Sequence, residues 1–338
     1  MKQKEPTTLQ EAITYFSDPD RAFEYAKNLR WPDGKVSCPR CGSEKNSFIK
    51  TRRIWFCYGC KKQFTLKVGT IFEDSALGLD KWMTAFWMLV NCRNGVSSYE
   101  IARALGITQK SAWFMLQRIR QVLQDEQTGG KLGGPSGPVE IDETYIGGKA
   151  RNWHKSKRRH MSDAVGMQGG HGKTVVIAAL ERGGQVKTRV IGDRKYPAVH
   201  GAVRDFVEPG SAIMTDEFTG YSGLESEYQR QFVNHLEKYV DGQVHVQGVE
   251  NFWSCLKRSL GGTYVAVEPF HLFRYVDEQA FRFNNRKDAL GRKLPDAMRF
   301  AEAMSRVAGH RLTYSELTGK SDSPHHPATG TGETEVPF

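Results

Sequence analysis

Three acidic residues in the second half of the chain lie within a predicted strand, at the end of another, and at the start of a predicted helix. Asp142 lies in a β-branched segment, residues 139–146, whose pattern predicts a strand. Asp216 ends a short apolar run that predicts a second strand. Glu250 opens a segment with apolar residues at helical spacing, and Lys257 follows seven residues later on the same edge of that predicted helix. The sequence therefore predicts one site that contains these four side chains.

Such a set of carboxylates suits metal-dependent phosphodiester chemistry. In-line attack on a phosphodiester develops charge on the attacking and leaving oxygens, and two Mg²⁺ ions about 4 Å apart can stabilise both. Mg²⁺ prefers oxygen ligands, and Mn²⁺ suits the same donors. We expect Asp142 to bridge both ions, with Asp216 and Glu250 holding one each, and Lys257 to contact the phosphate. The alternative is a local role for each acid, as a turn or cap residue at a strand end or helix start.

The segments around these acids alternate between strand and helix patterns. Residues 173–180 and 186–191 predict a hairpin, and residues 211–215 predict a short buried strand. Helices are predicted over residues 197–207, 248–260 and 269–286. This mixture predicts an α/β domain. A Gly/Pro-rich stretch, residues 127–138, precedes the domain and predicts a linker.

Four cysteines form two C-x-x-C pairs separated by fifteen residues: Cys38, Cys41, Cys57 and Cys60. Zinc takes four thiolates at tetrahedral corners, and each C-x-x-C turn supplies two of them. The spacing predicts one structural Zn²⁺ in a ribbon over residues 35–70, with a redox dithiol as the alternative. The basic residues in this segment favour a contact with DNA, and a protein-docking role stays open.

The region 76–126 has the pattern of a helix-turn-helix. Gly106 fits the turn, and Thr108 is the predicted N-cap of the second helix. That helix would present three N-terminal residues to DNA: Gln109, Lys110 and Ser111. Arg118 and Arg120 would add positive charge toward the phosphates. An ordinary helical hairpin is the alternative interpretation.

The charge balance favours a polyanionic partner. The 338 residues include 48 Lys and Arg against 38 Asp and Glu, a net charge of +10. A basic balance favours nucleic acid, and a merely basic soluble protein is the alternative. Because the sequence has neither an apolar run of the ~20 residues that span a membrane nor a signal-peptide pattern, we expect a cytoplasmic protein without a membrane partner. Residues 1–34 predict a helical lead-in, and residues 319–338 a disordered tail.

A basic segment directly follows the Asp142 strand. Its cations could hold DNA phosphates, and its tryptophan could stack on a base. A solvated charged loop is the alternative. The candidate DNA-binding residues of this segment are Lys149, Arg151, Trp153, Lys155, Lys157, Arg158 and Arg159.

Taken together, these motifs resemble the DDE-type transposases of bacterial insertion sequences that carry an N-terminal zinc ribbon. The resemblance rests on the four-cysteine ribbon and on residues 141–149 (IDETYIGGK), 215–221 (TDEFTGY), 248–258 (GVENFWSCLKR) and 271–286 (HLFRYVDEQAFRFNNR). It implies an RNase H-like (retroviral-integrase-like) catalytic domain over residues 139–310. In that domain the catalytic triad would be Asp142, Asp216 and Glu250, and Lys257 would be the downstream basic residue. Asn251 and His245 are alternatives for the third position, and Arg258 would contact DNA.

The resemblance also implies a function. Such an enzyme binds the terminal inverted repeats of its element as double-stranded DNA, cleaves there, and joins the freed 3′-OH to target DNA, acting as a homo-oligomer. A non-catalytic DNA-binding regulator descended from such an enzyme is one alternative, and it would predict a damaged triad. A structure-selective nuclease on the same fold is another, and it would have little need for both a ribbon and a helix-turn-helix.

Overall fold

The computed structural model describes residues 5–124, 130–147, 173–232, 245–288 and 290–319. These residues form two compact units. The first unit takes its described residues from Met1–Gln124, Gly262–Tyr264 and Asn285–Asp322, and the second takes them from Asp125–Gly261 and Val265–Asn284. Among the described residues, no helix is both long enough and apolar enough to cross a membrane.

The first unit begins with two short helices, α1 (Leu9–Phe16) and α2 (Pro19–Arg30). In α1, the side chains of Thr8 and Glu11 cap each other's backbone N–H groups, which satisfies donors that an isolated helix leaves unpaired. In α2, the Asp18 carboxylate accepts hydrogen bonds from the first-turn amides. The predicted helical lead-in is therefore a pair of separately capped helices.

A three-stranded antiparallel sheet follows, with the order β1 (Asn46–Ile49), β2 (Ile54–Cys57) and β3 (Gln63–Thr65). Such a small sheet buries little surface, and its core consists of aromatic rings. The buried Trp55 stacks on Phe23 of α2 and on Phe64, with ring centroids 5.7 and 5.6 Å away. Large aromatic side chains supply the apolar area that short strands cannot.

Helices α3 (Leu79–Asn91), α4 (Ser98–Leu105) and α5 (Gln109–Val122) come next. Most of α3 is buried, including Trp82, Phe86 and Trp87, as expected of a helix that is apolar on nearly all sides. Because α1, α2 and α5 all pack against it, α3 is the central helix of the first unit.

The second unit is built on a five-stranded mixed sheet. Its strands are β4 (Val139–Ile146), β5 (Thr174–Glu181), β6 (Val186–Ile191), β7 (Ala212–Thr215) and β8 (Gln229–Phe232). Their spatial order is β6-β5-β4-β7-β8, with β4, β5 and β6 antiparallel, and β7 parallel to both β4 and β8. This arrangement is that of an RNase H-like domain, which confirms the predicted fold class.

Helices cover both faces of this sheet: α6 (Tyr196–Phe206) on one, and α7 (Gln247–Ser259) with α8 (Leu272–Asn284) on the other. Ile141 and Ile177 point toward α6 and form the apolar core with it. The alternate residues of β4, Glu140 and Asp142, point toward α7. Over residues 139–142, period-two alternation thus places Val139 and Ile141 on one face and the carboxylates of Glu140 and Asp142 on the other.

The last helices, α9 (Asp296–Ser305) and α10 (Tyr314–Leu317), correct the predicted boundary of the catalytic domain. The sequence assigned residues 139–310 to that domain, whereas Asn285–Asp322 falls in the first unit. The reason is aromatic packing: Phe300 of α9 lies 5.5 Å from Phe16 and 5.1 Å from Trp87, centroid to centroid. These long-range contacts leave no local signal in the sequence.

Candidate active site and zinc centre

The acidic site forms where the pairing between the adjacent parallel strands β4 and β7 ends. Their last paired residues are Glu140 and Met214, and two residues further along each strand lie Asp142 and Asp216. The carboxyl ends of parallel strands commonly form a binding crevice in α/β sheets. Carboxylate oxygens of Asp142, Glu143 and Asp216 all lie within 4.8 Å of one another. The structure thus brings together two of the predicted acids and adds Glu143.

Asp142 is the acid whose ionisation is most strongly perturbed. Its Oδ2 accepts a hydrogen bond of 2.9 Å from the indole N–H of Trp253 on α7. Burial raises the pKa of Asp142 to about 7, with further contributions from the charges of Glu143 and Asp216. The hydrogen bond from Trp253 favours the ionised form but does not offset these effects. Mutual repulsion among close carboxylates is what a bound cation would relieve.

Glu143 is the functional candidate that sequence reasoning missed. Its carboxylate forms an ion pair with Arg194 and accepts a hydrogen bond from the phenol of Tyr221. Burial raises the pKa of Glu143, although the Tyr221 hydrogen bond and the Arg194 charge both act to lower it. The Arg194 guanidinium lies over the ring of Phe218, 3.6 Å from its centroid. The only sign of Glu143 in the sequence was its position directly after Asp142.

Asp216 continues directly from β7 into a turn. Its Oδ1 accepts a hydrogen bond of 3.0 Å from the backbone N–H of Phe218, a local contact typical of aspartate in turns. The backbone carbonyl of Asp216 accepts from Arg230 on β8. These contacts hold the strand end in place beside Asp142.

Glu250 and Lys257 lie on α7 and are exposed. Among the residues that the structure describes, Glu250 is outside the group of carboxylates that meet within 4.8 Å. It precedes Trp253 by three residues, which is about one helical turn. Its role as the third catalytic acid stays a prediction, as do the roles of Lys257 and of Arg258, which is also exposed.

The two alternatives for the third position have other contacts. His245 Nδ1 lies 3.3 Å from a carboxylate oxygen of Glu140. The Asn251 amide oxygen lies 3.6 Å from the sulfur of Cys255, one turn along α7. Neither of these contacts involves Asp142 or Asp216.

The donor set fits divalent magnesium. Three carboxylates converge, and carboxylate oxygens are the protein ligands that Mg²⁺ takes. Burial, and after it the charges of Glu143 and Asp216, raise the pKa of Asp142, and a bound cation would favour its ionised form. Asp142, Glu143 and Asp216 are therefore the described residues that could hold such an ion.

The four predicted zinc ligands also converge. The sulfur atoms of Cys38, Cys41, Cys57 and Cys60 lie within 4.8 Å of one another. The Cys38–Cys60 and Cys41–Cys57 sulfur distances are 3.8 and 3.6 Å, and a tetrahedron with 2.3 Å Zn–S bonds has edges of about 3.8 Å. The backbone N–H of Cys60 lowers the pKa of Cys57 to about 6, which favours the thiolate that binds metal.

The predicted helix-turn-helix has the expected caps. Gly106 ends α4 with φ of +61°, a left-handed conformation that glycine adopts without strain. The Thr108 side chain accepts from the N–H of Ser111 and so caps α5. At the start of α5, the Gln109 side chain donates to Ser98. Lys110 is exposed, with its ammonium 4.6 Å from the ring centroid of Tyr314 in α10.

Two arginines of α5 correct the sequence interpretation. Arg118 was expected to face DNA phosphates, but it is only 5% exposed and donates to the backbone carbonyls of Leu312, Ile71 and Glu73. Arg120 is 1% exposed. Both are therefore part of the interior of the first unit, because α5 packs with its C-terminal half buried.

The predicted basic segment lies outside the described residues, as does most of the predicted tail. Its candidate DNA contacts are Lys149, Arg151, Trp153, Lys155, Lys157, Arg158 and Arg159. Their roles stay predictions.

The fold and the two clusters define a class: an RNase H-like protein with an acidic site, preceded by a zinc ribbon. Residues 134–284 match the ISXO2-like transposase domain, and residues 17–63 match the transposase zinc-ribbon domain. The chain thus carries both of these transposase domains, and the predicted family resemblance is confirmed.

Two relatives agree with this assignment. The chain is 27% identical over 258 residues to an uncharacterized protein in transposable element ISH50 of Halobacterium salinarum, covering 73% of this chain and 85% of that protein. It is 29% identical over 102 residues to an uncharacterized transposase-like protein of Haemophilus influenzae, covering 30% of this chain and 82% of that protein.

Proposed function

We propose that this protein is a DDE-type transposase that cuts DNA at the ends of its element and joins the freed ends to target DNA. The observation that carries the proposal is the meeting of Asp142 and Asp216 just beyond the last paired residues of two parallel strands in an RNase H-like sheet. The transposase domains at residues 17–63 and 134–284 support it.

The proposed reaction has two steps. In the first, a water oxygen attacks the scissile phosphorus, the bond from phosphorus to the 3′ oxygen breaks, and a 3′-OH and a 5′-phosphate result. In the second, that 3′-OH oxygen attacks a phosphorus of the target strand, and the target's own 3′ oxygen leaves with a proton. Each step exchanges one P–O bond for another, so no covalent bond to the protein is needed.

Asp142 and Asp216 would hold the divalent ions. Mg²⁺, when held by these carboxylates, would supply stabilisation of the charge that develops on the attacking and leaving oxygens. Glu250 would complete the ligand set from α7, and Lys257, two turns further along the same helix, would contact the phosphate. Glu143 is a second candidate ligand, since its carboxylate already lies in the group.

Binding to the element ends would fall to the first unit. The exposed Lys110 at the start of α5, with Gln109 and Ser111, would meet base edges or phosphates of the terminal inverted repeats. The ribbon would hold one structural Zn²⁺ through four cysteines. The basic segment after β4 and Arg258 would contact DNA near the reacting strand. Joining two ends requires two active sites, so we propose a homo-oligomer on DNA.

The test uses the purified full chain, Mg²⁺, a labelled duplex of the element's end taken from the DNA flanking the gene, and a target plasmid. Asp142→Asn, Asp216→Asn, Glu250→Gln and Glu143→Gln run beside it. Asp205→Asn is the matched control, since Asp205 is a surface acid paired with Arg189 on the same domain. We expect nicked and joined products with the wild type and the control.

The variants distinguish the roles. Loss of both products in Asp142→Asn, Asp216→Asn and Glu250→Gln would support the predicted triad. Loss in Glu143→Gln with activity kept in Glu250→Gln would assign the third ligand to Glu143. Tight binding to the ends without any cleavage would overturn the proposal and support the non-catalytic regulator. Cleavage without joining would support the nuclease.

A further inference from the structure

Helix α7, which carries Glu250, Trp253 and Lys257, starts without a capping side chain of its own. Its N-cap residue is Val246, whose side chain has no hydrogen-bond acceptor. The first N–H groups of a helix have no intrahelical partner. Here the partner comes from the sheet: Glu140 Oε2 accepts from the backbone N–H of Gly248 at 2.7 Å and of Val249 at 3.1 Å.

The Glu140 carboxylate is itself held firmly. It is 1% exposed, and its other oxygen accepts a hydrogen bond of 2.9 Å from Arg182 Nε. The same guanidinium donates through Nη2 to the backbone carbonyl of His245 at 2.9 Å. Glu140 and Arg182 therefore bind both the first-turn amides of α7 and the chain that leads into the helix.

A second contact fixes α7 further along its length. Trp253 Nε1 donates to Asp142, which lies on the same face of β4 as Glu140. Two residues along a strand span about 7 Å, and the four residues from Val249 to Trp253 span about 6 Å of helix. Since these lengths match, the two contacts define one position of the helix along the strand.

We propose that Glu140 is a positioning residue that sets the place of α7 relative to Asp142, and thereby the distance from Asp142 to Glu250 and Lys257. The inference rests on the proposed function only in that it gives those two side chains a role in cleavage. The Glu140 contacts themselves do not depend on it.

Gly248 supplies an independent way to disturb the same contact. A Cβ at this position would lie 2.7 Å from Glu140 Oε2 and 2.5 Å from Leu180 Cδ2, so Gly248→Ala must displace the helix or both of these side chains. Helix propensity alone would favour alanine. Gly201 in α6 is the matched control, because a Cβ there meets nothing within 4 Å.

The first test is amide hydrogen exchange in the full chain without DNA or added divalent metal. In Glu140→Gln, one acceptor oxygen becomes a donor, so the amides of residues 248 and 249 should exchange at least about tenfold faster. Glu181→Gln is the control, since the Glu181 carboxylate accepts from the N–H of Gly133 instead. Unchanged exchange at residues 248 and 249 in Glu140→Gln would overturn the proposal.

The second test separates positioning from a general loss of stability. In Glu140→Gln and Gly248→Ala, single-turnover cleavage should fall at least about tenfold and the half-saturating Mg²⁺ concentration should rise by roughly tenfold. Affinity for the end duplex should stay within twofold. Glu140→Asp keeps the charge but is one methylene shorter, so it should remain defective, whereas a purely electrostatic role predicts rescue. Wild-type cleavage by Glu140→Gln, or rescue by Glu140→Asp, would overturn the positioning role.

The effects of Glu140→Gln and Gly248→Ala on the cleavage rate should also be non-additive, because both substitutions break the same contact. The double variant should cleave about as slowly as the slower single variant, and a product of the two separate losses would contradict a shared contact. If the wild type itself fails to cleave, the proposed function fails, and the exchange measurement alone decides whether Glu140 holds α7.

Discussion

Replacing Asp142 by asparagine should stabilise the metal-free protein while it removes a metal ligand. Burial, with the charges of Glu143 and Asp216, raises the pKa of Asp142 from 3.8 to about 7. A carboxyl group whose pKa is higher in the folded than in the unfolded chain makes folding less favourable as pH rises. The cost is absent below about pH 4, grows between pH 4 and pH 7, and is complete above pH 7.

The magnitude follows from the shift. Three pKa units at about 1.36 kcal/mol each give about 4 kcal/mol at pH 8, of which between about 1 and 2 kcal/mol is already present at pH 5. Because Asp142 is only partly buried, solvent screening lowers these values, and we expect a gain of about 2 kcal/mol at pH 8. The asparagine oxygen can still accept the hydrogen bond from Trp253, so that bond is not what the substitution removes.

The assay is urea unfolding at pH 5 and pH 8, without added divalent metal and then with Mg²⁺. Asp142→Asn should be more stable than wild type, by more at pH 8 than at pH 5, and Mg²⁺ should stabilise the wild type more than the variant. Asp205→Asn, at an exposed ion pair, should change stability by less than about 0.5 kcal/mol. A gain of equal size at both pH values, or no gain at pH 8, would refute the reasoning.

Three further predictions concern the other clusters. Cys57→Ser should reduce bound zinc from one equivalent to near zero and unfold the ribbon. Cys92→Ser, outside the cluster, is the control and should keep the metal. Metal analysis of the purified variants measures the difference. Lys110→Ala should reduce the slope of log binding constant for the element end against log salt concentration by about one unit, with the free energy of unfolding unchanged. Arg118→Ala should instead lose at least about 2 kcal/mol of stability, because three carbonyls lose their donor. A changed salt slope in Arg118→Ala would contradict its buried role. Glu143→Gln should raise the Mg²⁺ concentration needed for half-maximal cleavage, since one negative charge leaves the acidic group. An unchanged Mg²⁺ concentration would mean that Glu143 pairs with Arg194 and does not help to bind the metal.

The parts of the fold that the sequence predicted well are those with strong local patterns. The strands at residues 139–146 and 186–191 have the predicted ends. Both are rich in β-branched residues, and Gly or Pro residues lie close to each end. The left-handed end of α4 at Gly106 and the cap of α5 at Thr108 were also predicted, because both depend on local residue types. The short strand β8 was not predicted, since residues 229–232 are mostly exposed and lack an apolar pattern.

The parts that the sequence could not give depend on contacts between distant segments. The place of α9 in the first unit rests on Phe300 meeting Phe16 of α1 and Trp87 of α3, both far earlier in the chain. Neighbouring residues in a strand face opposite sides, so the strand pattern alone does not place Glu143 beside Asp142. Beyond the last pair with β7, however, side chains from both faces of β4 can reach the opening between the strands, and there Asp142 and Glu143 both approach Asp216.

One face of β4 therefore carries two features that oppose stability. Asp142 has a raised pKa, and the buried Glu140–Arg182 pair must be desolvated, a cost that apolar residues of similar size would avoid. Both features contact α7, Asp142 through Trp253 and Glu140 through the first-turn amides. A sheet selected for stability alone would place valine or isoleucine at these positions, as β4 does at Val139 and Ile141 on its other face. The charges on this face are thus best explained by the need to hold a helix and an acidic site in register.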